Sequence, residues 1–184
     1  APLATKPVLS DADLAAYARK VTALGEFCAD QGMPLVYHHH MGAVVMFEPE
    51  LDAFMANSGE GIPLLLDAGH LHFARGNVLR AIDNHHSRIR HVHTKDIRQS
   101  VLDSLDWSKD SFLDAVIKGA FTVPGDGSLD FKAIVQRLAE HGYEGWFVVE
   151  AEQDPKANSP LKMAQVGHKE LMRVMTAAGY EVVA

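Results

Sequence analysis

Cysteine is all but missing from this sequence. Of 184 residues only Cys28 is one, so no internal disulfide framework is available to staple the fold. Cys28 falls on a helical apolar stripe and is expected as a small core residue. Clusters of Lys and Arg are absent as well, and the formal charge is -7. That balance excludes the cationic surface with which a non-specific nucleic-acid binder displaces phosphate counterions. No stretch approaches the ~20 apolar residues of a membrane span. The beginning of the chain lacks a basic segment followed by a hydrophobic one. A cytoplasmic chain with small solutes or proteins as partners, and with neither nucleic acid nor membrane, is the expectation. What is present is the composition of one globular domain over residues 1–184, with 47% hydrophobic and 22% charged residues. The opening "APLATKPVLS", with two prolines in its first seven residues and no initiator methionine, reads as a linker within a longer chain.

Helices and short apolar strands alternate along the sequence. Ser10, Asp11 and Asp13 form a capping signature ahead of Leu14, Ala18, Val21, Leu24 and Cys28 at helical spacing, and Gly32 supplies the stop. "PLVYH" (34–38) is a first strand, followed by a helix from Pro49 through Leu51, Phe54 and Met55 that ends near Gly59. "IPLLLD" (62–67), a loop and "NVLRAIDNH" (77–85) repeat the pattern. "RIRHVH" (88–93) gives a third strand, 97–118 is partly helical, and "FTVPGDGSLD" (121–130) reads as a loop. "FKAIVQRLAEHG" (131–142) is a helix and "GWFVVEAE" (145–152) the last strand. A final helix carries Leu161, Ala164, Leu171, Val174 and Met175.

Four apolar strands separated by helices require parallel pairing through crossovers, hence an α/β fold. A nucleotide-binding sheet would carry a glycine-rich phosphate loop, and no strand is followed by one. The alternative is a (β/α)8 barrel. A full barrel takes about 250 residues, so four strands make roughly its second half, about four βα units. Such a half exposes a sheet edge and needs either a missing N-terminal half or a second copy of itself.

The strand ends carry the chemistry. The first strand runs into His38, His39 and His40, and the second ends in Asp67 with His70 one turn later. The third ends in His91 and His93, and the fourth in Glu150 and Glu152. In both architectures sites are built at that edge. One histidine at a strand end is ordinarily a surface or hydrogen-bonded residue; four strand ends bearing imidazole or carboxylate point to a shared divalent cation. Period-2 alternation puts His38 and His40 on one face with His39 on the other, and pairs His91 with His93 and Glu150 with Glu152. His72, His85, His86, His141 and His168 lie away from the strand ends and read as surface residues.

"YHHHMG", "LLLDAGH", "HVHTKD", "FTVPGDGSLDF" and "GYEGWFVVEAEQDP", in that order, resemble the second half of the inosose dehydratases, members of the xylose-isomerase-like barrel superfamily. The resemblance implies a metal-dependent hydro-lyase of myo-inositol catabolism that removes water from scyllo-inosose through an enediolate. The superfamily's metal is held by Glu, Asp, His and Glu. The last three fall on Asp67, His93 and Glu150, while the first falls on or near His38, a departure from the pattern, with His40 the alternative. The cation is Mn2+ or Co2+ first, with Mg2+ or Zn2+ also compatible. His70 matches a substrate-contacting histidine of sugar epimerases. In the chemistry so implied, Glu150 or His70 takes the carbon-bound proton, and Lys95 stabilises the enediolate or protonates the leaving hydroxide. Asp96 and Glu152 orient ligands, and His40, Glu152 and Asp126 of "VPGDG" meet the cyclic polyol ketone. A ketose isomerase or epimerase using the same cation, and a polyol-binding module without turnover, are the alternatives.

Overall fold

In the computed structural model residues 1–183 are described. Helix α1 (Asp11–Asp30) starts at the capping signature, where Ser10 Oγ accepts from the Asp13 N–H at 3.2 Å and Asp11 and Asp13 complement the helix dipole. Its buried line is Leu14, Ala18 and Gly25. Cys28 stands at the edge of that line and is half-buried rather than a core residue; Leu24 and Phe27 beside it are exposed.

Strands β1 (Tyr37–His38), β2 (Leu64–Asp67) and β3 (Ile89–His93) precede a short pair, β4 (Asp96–Ile97) and β5 (Phe121–Thr122), and β6 (Trp146–Val148) closes the series. The main sheet has the order β1-β2-β3-β6, every pair parallel, while β4 and β5 pair antiparallel beside it. The segment 121–130, read from its Pro and Gly as loop throughout, therefore opens with a strand that needs β4 to exist. The remaining helices are α2 (Glu48–Asn57), α3 (Ala68–Phe73), α4 (Val78–His85), α5 (Gln99–Ser104), α6 (Phe112–Ile117), α7 (Phe131–Glu140) and α8 (Pro160–Ala177). None of the helices among the described residues is long and apolar enough to cross a membrane.

Side-chain alternation divides the sheet. Leu64, Leu66, Ile89 and Val92 enter the main apolar cluster with Leu51 and Phe54 of α2, Ile82 of α4, Val135 of α7 and Val174 of α8. Ile89 and Val92 reach the same side despite their odd spacing because the register shifts between Leu64 and Leu65, so Leu64 pairs with Ile89 but Leu65 with His91. That bulge turns His91 and His93 to the other, inner face. There the rows read His38–Leu65–His91–Trp146 and Asp67–His93–Val148.

A second apolar cluster, with Met41, Met46, Phe73, Ile97, Leu102 and Phe121, sits beyond the strand ends and includes Leu3 of the N-terminal segment. Leu3 is tied there by its N–H donating to Asp110 O at 2.8 Å. β1 and β6 are the sheet's two edges. Trp146, on the inner face of β6, is 73% exposed, and Met33 beside β1 is 72% exposed.

Candidate metal centre

Asp67 is the hub of the strand-end cluster. It ends β2 and caps α3, its Oδ1 accepting from the His70 N–H at 2.8 Å. That bond fixes the carboxylate and turns Oδ2 toward the neighbouring strands. Oδ2 lies 3.4 Å from His38 Nε2 of β1, 3.4 Å from His93 Nδ1 of β3 and 3.6 Å from Lys95 Nζ. His93 Nδ1 is also 2.6 Å from Glu150 Oε2, just beyond β6. His38 Nε2, Asp67 Oδ2, His93 Nδ1 and Glu150 Oε2 are all buried, and none has a hydrogen bond of acceptable geometry. Unpaired buried polar atoms are costly. Four of them converging, two imidazole nitrogens and two carboxylate oxygens, form a donor set suited to a borderline divalent cation. One donor atom from each of Asp67, His93 and Glu150 lies within 4.8 Å of the others, and the same holds for His38, Asp67 and His70. The residues present therefore fit a cation held by His38, Asp67, His93 and Glu150.

The electrostatics follow. Burial would raise the Asp67 carboxyl, but the imidazoles of His38 and His93 and the charge of Lys95 hold it well below the usual range. Burial would lower His93, and the carboxylates of Asp67 and Glu150 push it up to about 9 instead. The His93 contact holds Glu150 below the usual glutamate range against its burial.

A second trio, His40, His70 and Glu152, meets the same 4.8 Å criterion. Lys95 reaches into it, Nζ donating to Glu152 Oε2 at 2.6 Å and to His70 Nε2 at 2.8 Å. Since an ammonium only donates, His70 Nε2 accepts and the ring proton sits on Nδ1; burial, ahead of the charge of Lys95, lowers His70 far below the ordinary imidazole value. Gly69 makes this possible: a Cβ there would lie 2.7 Å from Lys95 Cβ and Cγ. His40 Nδ1 donates to Met41 O at 2.9 Å, leaving Nε2 at 3.8 Å from Glu152 Oε1. Glu152 thus orients both Lys95 and His40.

Several expected roles change. The side chains of His70 and Lys95 have 0% exposure; both are packed beneath the carboxylates, which they contact and position. The accessible members are His38 at 28%, His40 at 33%, Glu150 at 34% and Glu152 at 26%. Asp96 does not touch the cluster. Its Oδ1 accepts from the N–H groups of Ile97, Ser128 and Leu129 at 2.7, 3.0 and 3.0 Å, pinning the loop after β5. Asp126 in that loop is engaged by Arg98 and by the Thr122 hydroxyl rather than free for a ligand. His91 lies one row below His93, with ring centroids 5.4 Å apart, and is lowered by burial. His85, expected at the surface, is half-buried on Asp52 at 2.7 Å.

His39 belongs to the site although the chemistry read from the sequence left it out. It is 1% exposed on the outer side, and its Nε2 accepts from the Asp67 N–H at 3.3 Å. The available signal was its place in the alternation: a histidine facing the helices must find a partner there.

Residues 2–180 match the family model described as xylose isomerase-like TIM barrel. The chain is 45% identical over 181 residues to the rhizopine catabolism protein MocC of Rhizobium meliloti, covering 98% of this chain and 56% of that protein. It is 43% identical over 167 residues to the inosose dehydratase of Salmonella agona, covering 90% of this chain and 56% of the enzyme. The chain thus spans about half the length of these curated relatives. Among solved structures, the IolI protein with a bound zinc atom is similar at TM-score 0.68 and 17% identity, over 94% of this chain and 60% of that one. The probable 3-DHS dehydratase AsbF of Bacillus anthracis follows at 0.67 and 16%, over 95% and 59%. At such identities the structural likeness speaks for the fold alone, and the fold agrees with four parallel strands carrying helices on one face. With its family model matched from residue 2 to residue 180, this chain belongs to the xylose isomerase-like TIM barrel family.

Proposed function

We propose that this chain carries the metal-binding part of a hydro-lyase that dehydrates scyllo-inosose, in inositol catabolism in the cytoplasm. The observation that carries this reading is that buried donor atoms without a hydrogen bond from Asp67, His93 and Glu150 lie within 4.8 Å of one another, with His38 Nε2 3.4 Å from the shared Asp67 oxygen. The 43% identity to an inosose dehydratase supports the choice of reaction and substrate. Because the chain spans about half of such enzymes, and because β1 and β6 are open edges, we place the remaining barrel strands, or failing those a second copy, along these edges.

A divalent cation in this set, Mn2+ or Co2+ in our reading, supplies Lewis-acid polarisation of the substrate ketone. The chain's own groups do the rest. Glu150 turns Oε2 into the donor set and keeps its other oxygen accessible to take the proton α to the ketone; the same carboxyl then returns that proton to the β-hydroxyl as its C–O bond breaks, so that one water leaves and the enediolate electrons form the new double bond. His40, exposed and steered by Glu152, receives the polyol hydroxyls. Lys95, beneath them, holds Glu152 in place and lends positive charge to a site that gathers three carboxylates. Phe112, edge-on to His40 at 5.1 Å, walls the approach.

The test is consumption of scyllo-inosose followed by mass spectrometry, with and without Mn2+. We expect loss of one water from the substrate, abolished by chelator and severely reduced in Glu150→Gln and His93→Ala. Conservation of substrate mass would point instead to an isomerase or epimerase. Full turnover in either variant would remove that residue from its role.

A further inference from the structure

The ammonium of Lys95 occupies a place that, in a dinuclear centre, belongs to a second ion. Its Nζ is 2.6 Å from Glu152 Oε2 and 2.8 Å from His70 Nε2. It is also 3.6 Å from Asp67 Oδ2 and 3.4 Å from Glu150 Oε2. The last two oxygens are the same atoms that face His38 and His93 across the first donor set. Asp67 Oδ2 and Glu150 Oε2 therefore stand between His93 and Lys95; His38 lies with Asp67 and His70 in one group of ligand atoms within 4.8 Å, and His40, His70 and Glu152 around the ammonium form another. Bridging carboxylates with imidazoles on both flanks are how proteins hold two divalent ions about 3.5–4 Å apart.

Charge counting supports the same conclusion. Asp67, Glu150 and Glu152 surround the pair of positions with three negative charges. One divalent cation together with one ammonium neutralises them, whereas two divalent cations beside Lys95 would leave the pocket strongly positive. Lys95 is fully buried with its stem passing over Gly69, so it cannot swing out to admit an ion.

We infer that Lys95 is a built-in counter-cation that fills the His40–His70–Glu152 position and makes the metal centre mononuclear. The inference rests on the first donor set holding a cation, as proposed above. Its test is metal content by equilibrium dialysis against Mn2+ with elemental analysis, joined to electron paramagnetic resonance, which separates an isolated Mn2+ from an exchange-coupled pair. The wild-type protein should bind one ion with an isolated-ion spectrum. Lys95→Ala should bind two with a coupled spectrum, and Lys95→Ala combined with His40→Ala should return to one. A Lys95→Ala protein that is folded by circular dichroism and still binds a single ion overturns the inference and leaves the first site intact. A coupled spectrum in the wild type overturns it also, and decides the matter even where Lys95→Ala does not fold. A wild type that binds no ion overturns the reading of the first site, and the inference with it.

Discussion

The two faces of the main sheet obey opposite rules. On the outer face Leu64, Leu66, Ile89 and Val92 are buried against apolar residues of six helices, and His39 is buried beside them at the strand ends. On the inner face His38, Asp67, His91, His93 and Glu150 crowd together, and several of their polar atoms lack a hydrogen bond. Close packing stabilises by removing apolar area from water. An unsatisfied polar cluster does the reverse unless a ligand completes it. Folding free energy should therefore be concentrated on one side of four strands and binding free energy on the other. Substitutions on the two sides should be separable by measuring stability and cation affinity on the same variants.

The largest effect is expected outside. Phe54 of α2 has no exposed surface and stacks on Tyr37 of β1 with ring centroids 3.8 Å apart. Phe54→Ala removes this contact and leaves a cavity, which costs about 3–5 kcal/mol in urea denaturation. In the fraction that remains folded, Mn2+ affinity should be unaltered; a large loss would mean that the faces are coupled. Inside, Asp67→Asn keeps an oxygen to cap α3 but removes the charge shared by His38, His93 and Lys95. Mn2+ affinity by calorimetry should fall by more than the ~100-fold that loss of a supporting residue can cause. Retained affinity would show that Asp67 is not a ligand.

Two residues span the faces and give smaller, mixed effects. Gly69→Ala places a methyl 2.7 Å from the Lys95 stem. Overpacking of this kind costs about 1–3 kcal/mol, and the displaced lysine should weaken cation binding as well. Unchanged affinity despite lower stability would place the strain in α3 rather than in the site. His39→Phe keeps the ring volume on the helix side but deletes the acceptor for the Asp67 N–H. A loss of about 10-fold in Mn2+ affinity is expected, and an unaltered affinity would make His39 a packing residue only.

The sequence made the outer face more legible than the inner one. Capping of α1 by Ser10 and the alternation of strands and helices depend on neighbours a few residues away, and they stand where the pattern puts them. The imidazoles and carboxylates at the strand ends are legible for the same reason, because a strand's end and its alternation are local. What depends on distant partners is not. The shift between Leu64 and Leu65 belongs to a pair of strands, and β5 exists only opposite β4. Helix α3 has six residues, too few for a period to register. Burial of Lys95 and His70 was hidden most deeply. A lysine near a strand end is ordinarily solvated, and this one is buried because Asp67, Glu150 and Glu152 arrive from two other strands to receive it.

The smallest effect is expected in the loop that reaches neither face. Asp126, in the "VPGDG" turn expected to meet the polyol, is taken up by Arg98 and Thr122, its side chain 39% exposed. An exposed pair of this kind contributes about 0–1 kcal/mol, because solvent screens it and two side chains must be held still. Asp126→Ala should lower stability by no more than that and leave Mn2+ affinity unchanged. Since Asp96 anchors the loop independently through Ser128 and Leu129, its position survives the substitution. KM for scyllo-inosose should therefore stay within about twofold, a change of under ~0.5 kcal/mol. A tenfold rise in KM with kcat unchanged would mean that Asp126 exchanges Arg98 for a substrate hydroxyl, and would extend the inner-face chemistry into a loop that in this structure has no part in it.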